Sequence, residues 1–246
     1  MNIKVYVGYD PRDHDAYRVC EYTLKLHASG PVEVIPLKDW ELRASGHYWR
    51  SYRVDERGQM WDDRDNKPFS TQFSFTRFAV PLMEKNSQDW VIFCDADMMF
   101  RDDIYKVLDE VDTKALYCVQ HQHQPTEKVK MDGVLQSKYS RKNWSSFMVM
   151  KPSRITNMTP FAVNNWDGSS LHGLRWVDDG MIGALDKRWN MLVGYDEIDN
   201  PANVHFTLGT PDMSHYTPSQ WDGEWWDNLD RLNKGIRDET PPSLRD

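Results

Sequence analysis

The chain has 246 residues, enough for one large α/β domain or two small ones. Hydrophobic residues make up 39% and Gly and Pro number 13 each, which excludes a disordered or fibrous chain. A net charge of −8 argues against a general affinity for nucleic acid or anionic lipid, and no apolar run reaches the length of a membrane span.

The opening MNIKVYVGYD is already a strand pattern with no signal peptide ahead of it, which sets the expectation of a cytoplasmic protein. Ile3 to Gly8 alternate apolar and polar and end at a Gly, a strand entering a loop. A helix is expected to open near Asp13 and stop before Gly30. Val32 to Leu37 form a second β-branched run. From Asp39 to Pro68 no period is visible, and a long irregular excursion is expected, a feature that is often functional. A helix is expected from Ser70, with Phe75, Phe78, Ala79 and Leu82 on one face and Pro81 against it. The strand WVIFCDADMMF (Trp90 to Phe100) follows, then RDDIYKVLDEV as a short helix. ALYCVQ and SFMVMKP read as strands on either side of a basic loop from His121 to Trp144. VDDGMIGALDK reads as helical despite two Gly, and NVHFTLGTPDM closes the core with a short strand. The tail from Ser214 is Trp-rich and acidic. Cys20, Cys94 and Cys118 are unevenly spaced among apolar neighbours, the pattern of reduced, buried thiols.

Strands alternating with helices imply a mainly parallel sheet covered on both faces. Ligands bind outside the C-terminal strand ends of such sheets, and both Asp10 and the pair Asp95/Asp97 fall there. Two carboxylates two residues apart in an extended segment project to one side. A divalent cation between Asp95 and Asp97 would turn their repulsion into a ligand set, and the small Ala96 leaves room for a phosphate. The alternative is structural, with Asp97 capping the next turn and Asp95 bonding backbone amides.

VIFCDADMMFRDDI resembles the Asp-x-Asp segment of GT-A glycosyltransferases, most of all the retaining, family-8-like enzymes. The resemblance runs from about Ile3 to Met213 and includes VYVGYD, FTRFAVPLM, NWSSFMVM, WVDDGMIGAL with the following RWN, and VHFTLGTPDM. A group of compact bacterial and phage glycosyltransferase-like proteins is similar in the same segments. The resemblance implies an α/β, Rossmann-like GT-A fold with a mixed, mainly parallel sheet flanked by helices. It implies a catalytic domain over 1–213, with the 214–246 tail packed on or near it. It further implies a nucleotide-diphosphate sugar donor and Mn²⁺ or Mg²⁺ as cofactor. Asp95, Asp97 and His205 match the metal ligands, and an imidazole among carboxylates suits Mn²⁺. Gly8, Tyr9 and Asp10 match the loop that holds base and ribose, and Arg77 matches an Arg that reaches the donor. Asn143, Trp144, Ser145 and Ser146 overlap a segment that touches the donor sugar, and Ala96 and Gly209 belong to the same donor-binding set. Asp178 and Asp179 match a helix start near the anomeric carbon, with Asp179 a conceivable nucleophile.

For most of these residues the structure-only alternative stays open: a helix cap for Asp10, a surface position for Arg77, a core histidine for His205. The final motif of the family carries a Lys that binds diphosphate, whereas Thr210 stands in this chain's GTPDM, so another group must bind phosphate. The acceptor is a hydroxyl, with a saccharide or glycan precursor as the default. The basic stretch EKVKMDGVLQSKYSRKNW, with Lys138, Tyr139, Arg141 and Lys142, is either a solvated loop or a contact for a polyanionic acceptor such as a hydroxymethylated DNA base of a phage. Membrane association is not expected of an acidic tail. Two rival readings are a haloacid dehalogenase-type phosphatase using Asp95 and Asp97, although Met98 and Met99 then follow where Thr or Val is usual, and a non-enzymatic sugar-binding module.

Overall fold

The computed structural model describes residues 2–122, 129–130, 134–135 and 141–235. Strands are numbered in chain order: β1 Ile3–Gly8, β2 Val32–Leu37, β3 Tyr52–Val54, β4 Met60–Asp62, β5 Pro68–Phe69, β6 Val91–Cys94, β7 Met98–Phe100, β8 Leu116–Cys118, β9 Val129–Lys130, β10 Val134–Leu135, β11 Phe147–Met150, β12 Ile182–Ala184, β13 Met191–Leu192 and β14 Asn203–His205. Six of them form the central sheet in the order β12-β8-β11-β6-β1-β2. β1 pairs parallel with β2 and β6, and β12 pairs parallel with β8. β11 alone runs against its neighbours β6 and β8. The result is the mixed, mainly parallel sheet expected from the sequence. β6 and β11 are buried along their whole length, which explains why they read as unbroken apolar runs.

The helix His14–His27 covers one face through Ala16, Val19, Cys20, Thr23 and Leu24, a 3-1-3-1 spacing that keeps one stripe inward. All three cysteines are buried and free, as expected. Among the described residues no helix is long and apolar enough to cross a membrane.

Four elements differ from the sequence expectation. The strand expected over Trp90 to Phe100 is two strands, β6 in the central sheet and β7 in the small sheet β13-β14-β7, separated by Asp95 to Asp97. The excursion from Asp39 holds a helix, Asp39–Ala44, and a small antiparallel sheet, β3-β4-β5. Its first hairpin closes where the Asp55 carboxylate accepts from Arg57 N and Gln59 N, with Gly58 at φ 79°. Short strands joined by polar turns leave too little periodicity to see. The helix expected from Ser70 is broken into Phe73–Thr76, a 3₁₀ turn Arg77–Ala79, and Val80–Met83. Pro81 sits in the first turn of the last piece, where its missing N–H removes no helical bond. The segment expected as a helix at 177–187 is a 3₁₀ turn, Asp179–Met181, followed by edge strand β12. Gly183 lies under the Tyr117 ring, where an added Cβ would come within 2.2 Å of the ring, so this Gly serves sheet packing.

The tail contains the helix Asp222–Asn233. Its Trp225 and Leu229 join Val19, Met99, Val204 and Phe206 in a second apolar cluster, and Arg101 pairs with Glu224 at 2.9 Å.

Candidate functional site

The pairing pattern brings the key segments together. β11 runs antiparallel to β6 with Phe147 opposite Cys94, so the residues before β11 meet those after β6. Asp95 N donates to Ser146 O at 2.9 Å. β14 runs antiparallel to β7 with His205 opposite Met98, and Phe206 N donates to Asp97 O at 2.9 Å. Two turns at the sheet rim are thus locked onto the Asp-x-Asp segment by backbone bonds.

The donor atoms of Asp95, Asp97 and His205 all lie within 4.8 Å of one another. Ligands of one ion, each roughly 2.1–2.5 Å from it, lie at most about 5 Å apart, so the three side chains fit a single divalent cation. His205 is 1% exposed, and its Nδ1 lies 2.9 Å from Asn190 Oδ1. Asn190 Nδ2 donates to Ser146 Oγ at 2.9 Å, which fixes the amide with Oδ1 toward the histidine. Nδ1 is then the protonated nitrogen. Nε2, 3.4 Å from Asp97 Oδ1, presents its lone pair to the acid pair. Carboxylate oxygens with one imidazole nitrogen are a donor set suited to Mn²⁺ and also open to Mg²⁺.

Arg77 positions Asp95. Its Nη1 meets Asp95 Oδ1 at 2.8 Å and donates to Ser145 O at 2.9 Å, and its Nε donates to Phe73 O at 3.2 Å. The guanidinium also lies over the Phe93 ring. These bonds occupy Arg77 within the protein and make it a brace for the acid pair.

A pocket of ≈ 100 Å³ opens over the pair. Its lining includes Lys142, Asn143, Ser145 and Ser146, Asp65, Lys67 and Pro68 from the excursion with Phe69 to Thr71 after it, and Gly168, Ser169 and His172. Asp13 lines the same pocket. His172 Nδ1 lies 3.0 Å from Ser145 Oγ. Burial, followed by the charges of Arg77, Lys142 and Arg50, holds this imidazole well below the usual histidine range.

The other expected site residues divide as follows. Gly8 packs under Phe73, which an added Cβ would approach to 2.5 Å. Tyr9 is half-buried, 3.2 Å from His14 Nδ1 through its hydroxyl and edge-on to Tyr17 and Trp40. Asp10 is 0% exposed. Its carboxylate accepts from Arg12 N, Nε and Nη2 and from Gln72 N, so it clamps the β1 loop to the segment before the Arg77 helix. Ala96 is buried between the two acids. Trp144 Nε1 donates to His121 O, and Gly209 is buried at φ 123°, a conformation that favours glycine. Asp178 and Asp179 are exposed and do not line the pocket, and Asp179 pairs with Arg141 at 2.7 Å. A 3₁₀ turn stands where the sequence suggested a helix start. Lys138 and Tyr139 lie outside the described residues. Arg141 turns back onto Gly173 O and Asp179, and Lys142 is buried at the pocket wall.

Sequence reasoning missed Asp13, Asp65, Lys67, His172 and Asn190. The position of Asn190 in the RWN segment and the length of the excursion were the available signals. His172 had none.

Burial, reinforced by the Asp10 and Asp97 carboxylates and opposed by Arg12, pushes Asp13 up from near 3.8 to about 7. A raised carboxyl means that the folded state favours the protonated form. The contribution of Asp13 to metal-free stability should therefore be most favourable below about pH 4, fall as pH rises, and level off above about pH 7. In chelator, Asp13→Asn is expected to flatten this fall and to melt above the wild type at pH 8. Equal losses of Tm in the two proteins between pH 5 and pH 8 would show that Asp13 is not the group responsible.

No protein-family profile matches the chain. Solved glycosyltransferase structures do resemble it. The bifunctional glycosyltransferase WbbM superposes with a TM-score of 0.55 at 13% identity, over 92% of this chain and 51% of its own. GlyE of Streptococcus pneumoniae TIGR4 gives 0.54 at 15%, over 95% of this chain and 64% of its own. The chain thus spans about half the WbbM chain and less than two thirds of GlyE. The galactosyltransferase LgtC, solved with donor and acceptor sugar analogues, gives 0.54 at 11%, over 98% of this chain and 99% of its own. Together with the sheet order, these matches give the chain the GT-A glycosyltransferase fold. In sequence, Protein CDI of Arabidopsis thaliana is 36% identical over 245 residues, covering 96% of this chain and 89% of its own length. The chain belongs to the family of Protein CDI.

Proposed function

We propose that the protein is a metal-dependent glycosyltransferase that moves a sugar from a nucleotide-diphosphate donor to an acceptor hydroxyl, with retention at the anomeric carbon. The observation that carries this reading is the convergence of Asp95, Asp97 and His205 on one point, with both acids lining a pocket. These three residues would hold Mn²⁺ or Mg²⁺. The bound cation supplies electrostatic stabilisation of the negative charge that grows on the departing diphosphate.

The chain's own residues prepare that charge site. Arg77 fixes the Asp95 carboxylate, and Asn190 fixes the tautomer and ring plane of His205. Asn143, Ser145 and Ser146 offer a polar wall for sugar hydroxyls, and Tyr9 with Trp40 offers aromatic surface beside the β1 loop for a base. With Asp178 and Asp179 at the surface, a covalent intermediate on Asp179 lacks support, and attack by the acceptor hydroxyl on the same face of the sugar is the favoured route. The acceptor is read as a saccharide or glycan. Of the four residues suggested for a DNA contact, the two described ones are turned into the protein.

The phosphatase reading is not favoured, because its nucleophile would be Asp95, which Arg77 holds in an ion pair. A sugar-binding module leaves the metal-ligand set without a purpose. The test is a panel of nucleotide sugars added to the full chain with Mn²⁺, with Mg²⁺, or with chelator. At least one donor is expected to raise the melting temperature only with metal and to release nucleoside diphosphate slowly into water. A panel in which no donor binds or reacts would overturn the reading.

A further inference from the structure

We infer that Ser146 decides which nitrogen of His205 carries the ring proton. A hydrogen-bond chain of fixed polarity runs from the Asn143 carbonyl through Ser146 and Asn190, holds the proton on Nδ1 and keeps the Nε2 lone pair open toward the acid pair. Ser146 and Asn190 are positioning residues in this role. The inference rests on the metal-binding part of the glycosyltransferase reading and extends it from the three ligands to the residues behind them.

Each step follows from what the groups can do. The Asn143 carbonyl can only accept, and Ser146 Oγ lies 2.7 Å from it, so the single hydroxyl proton of Ser146 is used there. Ser146 Oγ must then accept from its other neighbour, and Nδ2 of Asn190 donates to it at 2.9 Å. That turns Asn190 Oδ1 to His205 Nδ1 at 2.9 Å, and an amide oxygen requires a proton on that nitrogen. Asn143, Ser146, Asn190 and His205 are all buried, so each donor and acceptor has to be matched inside the protein. The origin of the chain sits in an unusual backbone: Asn143 has φ 64°, a left-handed conformation that few residues other than Gly and Asn adopt.

The chain opposes a competing proton position. Asp97 Oδ1 lies 3.4 Å from Nε2, and a carboxylate beside an imidazole nitrogen favours a proton on that nitrogen. A proton there would close the lone pair that a cation needs. With the Nδ1 proton fixed on Asn190, a neutral ring has no second proton to give Asp97. Ser146 also holds the other half of the ligand set, because its carbonyl accepts from Asp95 N at 2.9 Å.

The test reads the ring proton directly in the full, metal-free chain with ¹⁵N-labelled histidine at pH 9, well above the ordinary histidine range. Long-range ¹H–¹⁵N correlations of His205, identified by their loss in His205→Gln, are expected to place the proton on Nδ1. A proton on Nε2 in the wild type would overturn the inference, and this arm needs no variant that folds. Asn190→Leu removes the acceptor, so the proton should move to Nε2 and Mn²⁺ affinity should fall by about 10–100-fold. Ser146→Ala should act in the same direction by less, about 3–10-fold, because Asn143 O remains as a longer acceptor 3.4 Å from Asn190 Nδ2. Asn190→Asp keeps an acceptor at Nδ1 and should leave the proton in place. A merely structural brace would lower the melting temperature of Ser146→Ala without moving the proton. Ser146→Ala with the wild-type tautomer and Mn²⁺ affinity within about 2-fold would therefore overturn the inference. A wild type that has the expected tautomer and binds Mn²⁺, yet recognises no nucleotide sugar, would sink the glycosyltransferase reading and leave this inference standing.

Discussion

Asp97→Asn is expected to abolish sugar transfer, by about 10²–10³-fold or more, while the protein stays folded. That range is the cost of losing one preorganised electrostatic group at a reacting centre. An amide keeps the shape of the carboxylate but is a much poorer ligand for a hard cation. Asp97 lies 3.4 Å from His205 Nε2, and its backbone carbonyl is bonded to Phe206 N, so only the side-chain charge changes in the variant. In the metal-free protein the change removes one of two neighbouring negative charges, so the melting temperature should hold or rise. Wild type should gain stability on adding Mn²⁺, and the variant should gain little. Transfer by Asp97→Asn at close to the wild-type rate in chelator would sink the metal reading.

The central sheet was legible because β1, β2, β6, β8 and β11 are short apolar-rich runs bounded by polar turns, and burial on both faces is what makes β6, β8 and β11 unbroken. The acid pair stood out because it interrupts such a run. β12 was read as helix because its apolar residues are few and Gly180 and Gly183 blur the period, while the deciding factor, the Tyr117 ring over Gly183, comes from another strand. The pocket wall from Asp65 to Thr71 was invisible for a similar reason. Its strands are two or three residues long, and their positions depend on long-range partners. Lys142 was read as part of a basic surface run. Charge runs are usually solvated, and nothing in the sequence reveals that Lys142 is buried and lines the pocket. The resemblance implied that Asp178 and Asp179 lie near the anomeric carbon, whereas both are exposed, at a 3₁₀ turn in place of the expected helix.

Arg50→Ala is expected to destabilise the protein by about 3–5 kcal/mol, the cost of removing one partner of a buried ion pair. Arg50 and Asp62 are each 1% exposed and meet in two parallel bonds, Nε to Oδ1 at 2.7 Å and Nη2 to Oδ2 at 2.6 Å. The same guanidinium donates through Nη1 to Trp166 O at 2.7 Å and lies 4.1 Å from the centre of the Phe75 ring. One residue thus ties the small sheet of the excursion to the helix Pro160–Asn165 and the chain after it. Asp65 extends the link by accepting from Gly168 N at 2.9 Å, and both line the pocket. Loss of Arg50 should therefore loosen one wall of the pocket, and KM for the donor should rise along with the fall in Tm. Burial already raises the Asp62 carboxyl, and Arg50 opposes that rise. Without Arg50 the folded-state value rises further, so the variant's deficit should be largest at neutral pH and shrink as pH falls toward about 4, where an unfolded Asp also becomes protonated. Replacing both partners, as Arg50→Met with Asp62→Leu, leaves no buried charge and should recover most of the stability. Chemical denaturation at pH 7.5 and pH 4.5 separates the cases. A single variant within about 1 kcal/mol of wild type at pH 7.5, or a double variant no better than the single, would show that the pair does not hold the excursion in place.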